Sequence, residues 1–588
     1  MFFYLDISYA QDMRVNPTVL PAGEGLPQTA VAGTLYLRAG RQKLLRFDVG
    51  GGQLLFLGDP VFTASEKLLG SIISQAGKIR EDDLFREVKG HYYWFYIHGK
   101  HFSCGSSFGA VYPVYYHRTE SRIAICSSSF VLAEKAGLEE RDRRNLLERL
   151  LFNYTFFNST WWKEINLLEA HRYLHIADGD ARVAGSFEIS NYFTAPEDFS
   201  KGSLRDLSAL FQEETQKFFP ETTFGISLTG GFDGRTLVAA ARKAGRDFFT
   251  YSFGRPDSTD VTLPAGQAAR LKVPYFPICL DDQYVDRHSL ESAWSFMELT
   301  EYNGNFGRPH YLYAARRLAE KTDVILTGNF GSELFRALHL PGVMMSEHLI
   351  RVFASRDNSW KDELNRYVRQ LDADFFRNET EALIADIEQY IDKMKGWEAN
   401  HKFYHFVFNE IFRKYFGPEL VMQSNFLNNR TPYLNLHFFQ QLNRTIWSGV
   451  HSRLFEKNKS KRMKGQMFYA TFIHQADRDL FHLKTNKGYS PADVLESWRL
   501  PILAGRVVWH KYLNNKEIDD NSVHAFISKN HEAIEKAIGS DVPGSLKALF
   551  EKAIREIPEG QNIDRHIKHF SIAAGWKTAG MAQAEFHK

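Results

Sequence analysis

The stretch that most constrains the fold of this chain is Phe224 to Gly245, FGISLTGGFDGRTLVAAARKAG, where a short apolar run meets two adjacent glycines and then a helical pattern. A buried strand, a Gly-rich turn and a helix in that order open a βαβ unit. The alternation continues. FFTYSF (Phe248 to Phe253) reads as a strand, Leu263 to Val273 as a helix, YFPICL as a strand, Tyr311 to Lys321 as a helix, and Asp323 to Gly328 as a strand. Strands that are apolar throughout and alternate with helices predict a parallel, doubly wound sheet. A helix over Leu204 to Phe218 leads into it, and from about Leu349 the chain is mostly helical, charged and aromatic.

The N-terminal part has another rhythm. Leu35 to Arg38, Leu44 to Asp48, Leu54 to Leu57, Tyr92 to Ile97, Ala110 to Tyr116 and Ile123 to Ser127 are short strand-like runs separated by Gly, Asp and Ser, with helices expected near Ser65 to Ala76 and Arg141 to Phe152. That pattern predicts an α+β block with a mainly antiparallel sheet. The junction is expected between Glu188 and Gly202, giving a domain over residues 1–190 and a second over 203–588, with a nucleotide-type core at 205–345 and a helical remainder at 346–588. Lys plus Arg number 72 against 70 Asp plus Glu, a balance that gives no support to a nucleic-acid partner. Three scattered cysteines, Cys104, Cys126 and Cys279, form neither a disulfide framework nor a zinc site and fit a reducing compartment. With no run long enough for a membrane span and no leader-like start, a cytoplasmic protein is expected.

The chemistry is concentrated in Ser227-Leu-Thr-Gly-Gly-Phe-Asp-Gly-Arg235. Glycines let a backbone approach a phosphate closely, and a helix N-terminus offers N–H groups to it. Asp233 at that N-terminus suits a divalent cation beside the phosphates. No Gly-Lys-Ser/Thr follows, so this is not a Walker A loop.

Thr229-Gly-Gly-Phe-Asp-Gly234 resembles the pyrophosphate loop, SGGxDS, of the asparagine synthetase family. Tyr251-Ser-Phe-Gly254, Asp260, Leu326-Thr-Gly-Asn-Phe-Gly-Ser-Glu-Leu-Phe335 and Arg430-Thr-Pro-Tyr-Leu-Asn435 follow in that family's order. In the N-terminal block, Gly90 to His98, Phe108 to Tyr116 and Ile165 to Glu169 resemble strands of its glutaminase-type domain. The resemblance implies an Ntn-type αββα sandwich followed by an adenine nucleotide α-hydrolase-like (PP-loop) parallel-sheet domain with a helical C-terminal extension. It also implies ATP and Mg²⁺ as cofactors, and activation of a substrate carboxylate as an acyl-adenylate that an amine then captures as an amide. ATP and pyrophosphate are assigned to Ser227, Thr229, Gly230, Gly231, Asp233, Gly234, Arg235, Tyr251, Ser252 and Gly328, and the metal to Asp233 and Glu333.

The chain also departs from the family. Phe2 stands where an active glutaminase has its nucleophilic cysteine, and Gly105-Ser106 replaces its Arg-Asp pair, so no glutamine hydrolysis is expected. The β-lactam synthetase branch shares that loss. Gly234 replaces the final Ser of the loop, removing a hydroxyl that backbone N–H groups replace. Glu333 falls on the family's metal-binding Asp only if one extra residue is allowed, the preferred alignment; without the gap Ser332 falls there. Asn329 or Phe330 then occupies the general-base region, and neither is a base. Lys484 and Lys487 are the candidates for the lysine that offsets charge on pyrophosphate. The implied partners are a carboxylate- and an amine-bearing substrate. A lasso-type peptide with a partner protease ranks first. Ammonia-using asparagine synthesis, amidation of a surface polysaccharide and a non-catalytic nucleotide-binding scaffold are the alternatives.

Overall fold

Phe2–Ser8 forms β1, a buried strand within a sheet and one that the short strand-like runs of the sequence do not include. The structure, a computed structural model, describes residues 1–9, 14–63, 69–73, 79–198, 200, 202–335, 344–355, 359–454, 464–499, 501, 503, 505–506, 521–538, 543, 546–547, 551 and 563–581. Parts of the helix expected over Ser65 to Ala76 lie outside them; Leu69–Ile72 is helical.

After β1 come β2 (Asn16–Val19), β3 (Thr34–Arg38), β4 (Lys43–Val49), β5 (Gly52–Phe62), β6 (Val88–His98), β7 (His101–Ser106), β8 (Tyr115–Arg118), β9 (Arg122–Cys126), β10 (Asn166–Leu167), β11 (Tyr173–Ala177) and β12 (Asp180–Ala184). They make two six-stranded sheets, ordered β10-β8-β9-β1-β3-β2 and β12-β11-β7-β6-β5-β4. Every pairing is antiparallel except β2 with β3. Phe3 of β1 meets Tyr93 and Phe95 of β6 edge-on, with ring centroids 4.8 and 5.0 Å apart, so aromatic contacts lock one sheet to the other. The helix Ser129–Ala136 covers β8 and β9, and Glu81–Glu87 lies beside β6. The strand expected from Ala110 begins only at Tyr115. Gly109 and Ala110 have left-handed φ angles of 83° and 47°, and Pro113 has no N–H to give a ladder.

The second part carries a five-stranded, all-parallel sheet: β13 (Phe224–Ser227), β14 (Phe248–Gly254), β15 (Tyr275–Cys279), β16 (Val324–Leu326) and β17 (Asn428–Arg430), in the order β15-β14-β13-β16-β17. Ile226 sits between Thr250 on one side and Leu326 on the other. The strand order reverses between β13 and β16, and in open parallel sheets the crevice at that reversal, beyond the carboxyl ends, receives the ligand. The fifth strand comes from within the segment read as the helical remainder, so the sheet extends past the core boundary drawn at residue 345. No helix among the described residues is long and apolar enough to cross a membrane.

Buried ion pairs join the two parts. Lys89 of β6 reaches Glu214 at 2.6 Å, with both side chains almost fully enclosed. Glu214 also accepts from Asn435 at 2.8 Å and from Lys217 at 2.6 Å. Burial works against its charge, but His437, Lys89 and Lys217 outweigh that and hold its carboxyl well below the usual range. Arg430 forks onto Asp59 of β5 at 2.6 and 3.0 Å and donates to the Phe218 carbonyl at 2.8 Å. Lys89→Met is expected to cost about 3 kcal/mol, the lower end for a broken buried pair because Lys217 and Asn435 remain on Glu214. Urea denaturation measures this, and a loss below about 0.5 kcal/mol would mean that the pair does not hold the parts together.

Candidate functional site

The loops that follow β13, β16 and β17 converge. Asp233 begins the helix Asp233–Lys243, where a carboxylate complements the positive end of the helix dipole. Its Oδ2 accepts from the Ser332 hydroxyl at 3.0 Å, and its carbonyl accepts from the Tyr433 hydroxyl at 3.1 Å. Gly328 permits the approach of the β16 loop: a Cβ there would stand 2.5 Å from Asp233 Cβ and 3.1 Å from the Gly234 nitrogen. A Cβ on Gly331 would stand 3.0 Å from both Asp233 Oδ1 and the Tyr469 hydroxyl. Burial and the neighbouring Asp233, Tyr433 and Glu333 hold the Tyr469 hydroxyl well above its usual range, so both carboxylates act on one phenol. Glu333 is buried, and its carbonyl accepts from Tyr404 at 2.9 Å. Of the two alignment candidates, Ser332 bonds the Asp233 carboxylate at 3.0 Å, and Glu333 is the next residue. Between the two glycines, Phe330 adopts a left-handed φ of 70° and packs against Phe412 and Phe416 at 4.8 and 4.5 Å. A bulky residue rarely holds that conformation, so the packing fixes the turn.

The glycine loop itself is partly covered. Asn486 donates its backbone N–H to the Gly230 carbonyl at 3.1 Å, and a Cβ on Gly230 would lie 2.4 Å from Asn486 Cβ. Lys484 and Lys487 flank that asparagine, are exposed, and stand at the margin of the loop. Thr229 is exposed and accepts from the Gly231 N–H at 3.3 Å. A Cβ on Gly234 would lie 2.1 Å from the Ser227 carbonyl oxygen, so this backbone has no space for the serine hydroxyl of the SGGxDS pattern. Gly234→Ser is expected to cost about 2–3 kcal/mol through overpacking and to leave ATP affinity no better. A thermal melt at parental temperature would show that the helix shifts freely and that the contact is unimportant.

Two residues expected at the nucleotide are engaged in other contacts. Arg235 is fully buried, and its guanidinium donates to the Leu483 and Lys484 carbonyls at 2.8 and 2.5 Å. Burial lowers its pKa to about 9. It therefore clasps the 483–489 loop onto the sheet domain, with Gln267 adding a bond to the Lys484 carbonyl at 3.0 Å, and does not point at the glycine loop. Ser252 is buried inside β14 and bonds the Tyr275 hydroxyl at 2.7 Å, short of the strand end at Gly254. Tyr251 is buried in β14, where it stands opposite Ser227 of β13 in the sheet register. Sequence reasoning passed over Asn486, Tyr433 and Tyr469. Tyr433 lies in the Arg430-Thr-Pro-Tyr segment already singled out, whereas Asn486 stood unremarked between two charged candidates.

Among the described residues no group of three His, Cys, Asp or Glu side chains stands together as a metal site. The oxygen donors at Asp233, Ser332 and Glu333 nonetheless suit Mg²⁺, which takes one or two carboxylates and draws its remaining ligands from water and phosphate. No family model matches the chain, and no curated protein matches it. Among solved structures it is similar to a glutamine phosphoribosylpyrophosphate amidotransferase from B. subtilis, complexed with ADP and GMP, at 14% identity and a TM-score of 0.16. That match covers 42% of this chain and 50% of the other, so the chain spans half the length of that structure.

Proposed function

We propose that this chain is an ATP-dependent amide-bond-forming ligase, built as an Ntn-type sandwich without glutaminase chemistry joined to a PP-loop domain. The observation that carries the reading is the meeting, at the strand-order reversal, of the glycine loop with the Gly328 to Glu333 turn through the Asp233–Ser332 bond. In the reaction a carboxylate oxygen attacks the α-phosphorus of ATP and the bond to pyrophosphate breaks. An amine then attacks the acyl carbon, AMP leaves, and the amine loses its proton. Backbone N–H groups of Thr229 to Phe232 bind the phosphates, and Lys484 or Lys487 swings from the margin toward the leaving pyrophosphate. Asp233, with Glu333 or Ser332, would hold Mg²⁺, which neutralises charge building on the triphosphate when bound.

The cysteines support the lack of a glutaminase. Cys104 and Cys126 are buried in β7 and β9, and burial pushes both thiols well above the ordinary range, away from the reactive thiolate. Incubation with ATP, glutamine and an acid–amine pair is expected to yield AMP and an amide of the summed mass less water, with glutamate at the blank level. Glutamate release would refute the inactive first domain, and ADP in place of AMP would refute adenylation.

A nucleotide-binding scaffold without turnover is the second reading. One observation favours it: the side chain in the general-base region is the amide of Asn329, which takes up no proton at neutral pH, and its buried nitrogen has no hydrogen-bond acceptor among the described residues. ATP binding without AMP production from any acid would select it.

A further inference from the structure

Two adjoining cavities open where the N-terminal sheets meet the second domain. One, of about 360 Å³, is lined by Arg149, Asn303, Arg308, Lys414, Tyr415 and Glu419 among others. The second, of about 300 Å³, shares Arg149, Tyr154, Asn303, Lys414 and Pro418 with the first. Nothing in the glycine-loop chemistry uses these residues.

The walls are cationic and incompletely matched. Arg308 donates to the Tyr415 hydroxyl at 2.6 Å and lies 3.4 Å from Glu419, with its guanidinium over the Tyr415 ring at 4.8 Å. Arg149 donates to Asn145 and Asn303 at 2.8 and 2.5 Å and lies over Trp161 at 4.1 Å. A guanidinium has five N–H donors in a planar fork, so each retains capacity for a bidentate acceptor. The first cavity is lined by the basic side chains of Arg149, Arg308, Lys414 and Lys568 against the acidic ones of Glu419 and Asp564, and burial pushes both the Glu419 carboxyl and the Lys414 ammonium toward their neutral forms, each to about 7. Lys414 is spoken for by the Phe157 carbonyl at 2.7 Å and Glu410 at 2.6 Å. A buried and a half-buried guanidinium facing a void, with side-chain amides and phenols around them, form a pocket for a small anion with other polar groups.

The pocket also adjoins the Gly328 to Glu333 turn. Tyr415 of its wall is followed by Phe416, whose ring packs against Phe330 of that turn at 4.5 Å. Its wall is therefore one residue away from a side chain packed on the turn that meets Asp233.

We propose that the interdomain cavity binds the acid substrate, a small organic carboxylate gripped by Arg308 and Arg149. The proposal rests on the ligase reading for its role in catalysis, while the binding itself is independent of ATP. Amino acids and sugar acids share the required chemistry, and the experiment separates them.

Calorimetric titration of the full chain with amino acids, hydroxy acids and uronic acids, without ATP, tests this. One of these classes is expected to bind, and the neutral amide of the same acid is not. Arg308→Gln is expected to weaken binding at least tenfold and Arg308→Lys to weaken it less, because the charge stays while the fork is lost. Near-UV circular dichroism checks that both variants are folded. Gly231→Val is expected to bind the acid as the parent does. Parental affinity in folded Arg308→Gln, or binding only of a peptide carboxylate with every small acid silent, would overturn the proposal. Acid binding in a parent that binds no ATP would instead refute the ligase reading and leave the pocket standing.

Discussion

Gly231→Val is expected to abolish ATP binding while leaving the fold at parental stability. A Cβ at Gly231 would meet only Thr229 Oγ1, at 3.6 Å, so the position has room for a side chain in the free protein. Its neighbours do not: Gly230 is pressed by Asn486 and Gly234 by the Ser227 carbonyl. The two methyl groups of valine would then occupy space that phosphate oxygens need, and they would screen the loop N–H groups from them. The affinity loss should reach at least about a hundredfold, roughly 2.7 kcal/mol. Titration with MgATP and a thermal melt measure the two halves of this statement. Parental ATP affinity would reduce the glycine pair to a turn.

Asp233→Asn should slow turnover by roughly a hundredfold, equivalent to ~3 kcal/mol of lost transition-state stabilisation. The substitution removes charge and hardly changes shape, and the amide oxygen still accepts from Ser332, so folding is retained. ATP binding without Mg²⁺ should change much less than the rate. Glu333→Gln and Ser332→Ala then decide the second ligand. The gapped alignment expects the larger loss at Glu333→Gln. Full activity there, with loss in Ser332→Ala, would assign the position to Ser332, the side chain that touches Asp233 at 3.0 Å.

The parallel sheet was legible because strands buried on both faces have to be apolar, as Phe224–Ser227 and Phe248–Gly254 are. β17 escaped notice for the opposite reason. Asn428, Asn429 and Arg430 are polar; they pair with β16 through the backbone, and their side chains are satisfied inside the fold, Asn429 by Thr327 and Gln423 and Arg430 by Asp59. Val111 to Val114 misled in the other direction, since apolar residues there follow two left-handed positions and include a proline. For the candidate site, residue types singled out the glycine loop and Asp233, because those types have a chemical reason to be adjacent. The partners of Arg235, the Leu483 and Lys484 carbonyls, were not legible, because charge says what a side chain binds and not which face of a helix it leaves from. Asn486 was invisible, since its contact depends on main-chain geometry. Tyr433 and Tyr469 had no contrast in a chain with 14% aromatic residues.

The central claim is that the glycine loop binds ATP in order to activate an acid, and exchange of labelled pyrophosphate into ATP tests it most directly. With Mg²⁺ and a panel of amino acids, hydroxy acids, uronic acids and peptide carboxylates, exchange should appear with one class of acid, depend on that acid, and vanish in Gly231→Val. Exchange that persists in Gly231→Val, or its absence with every acid while ATP still binds, would contradict the account.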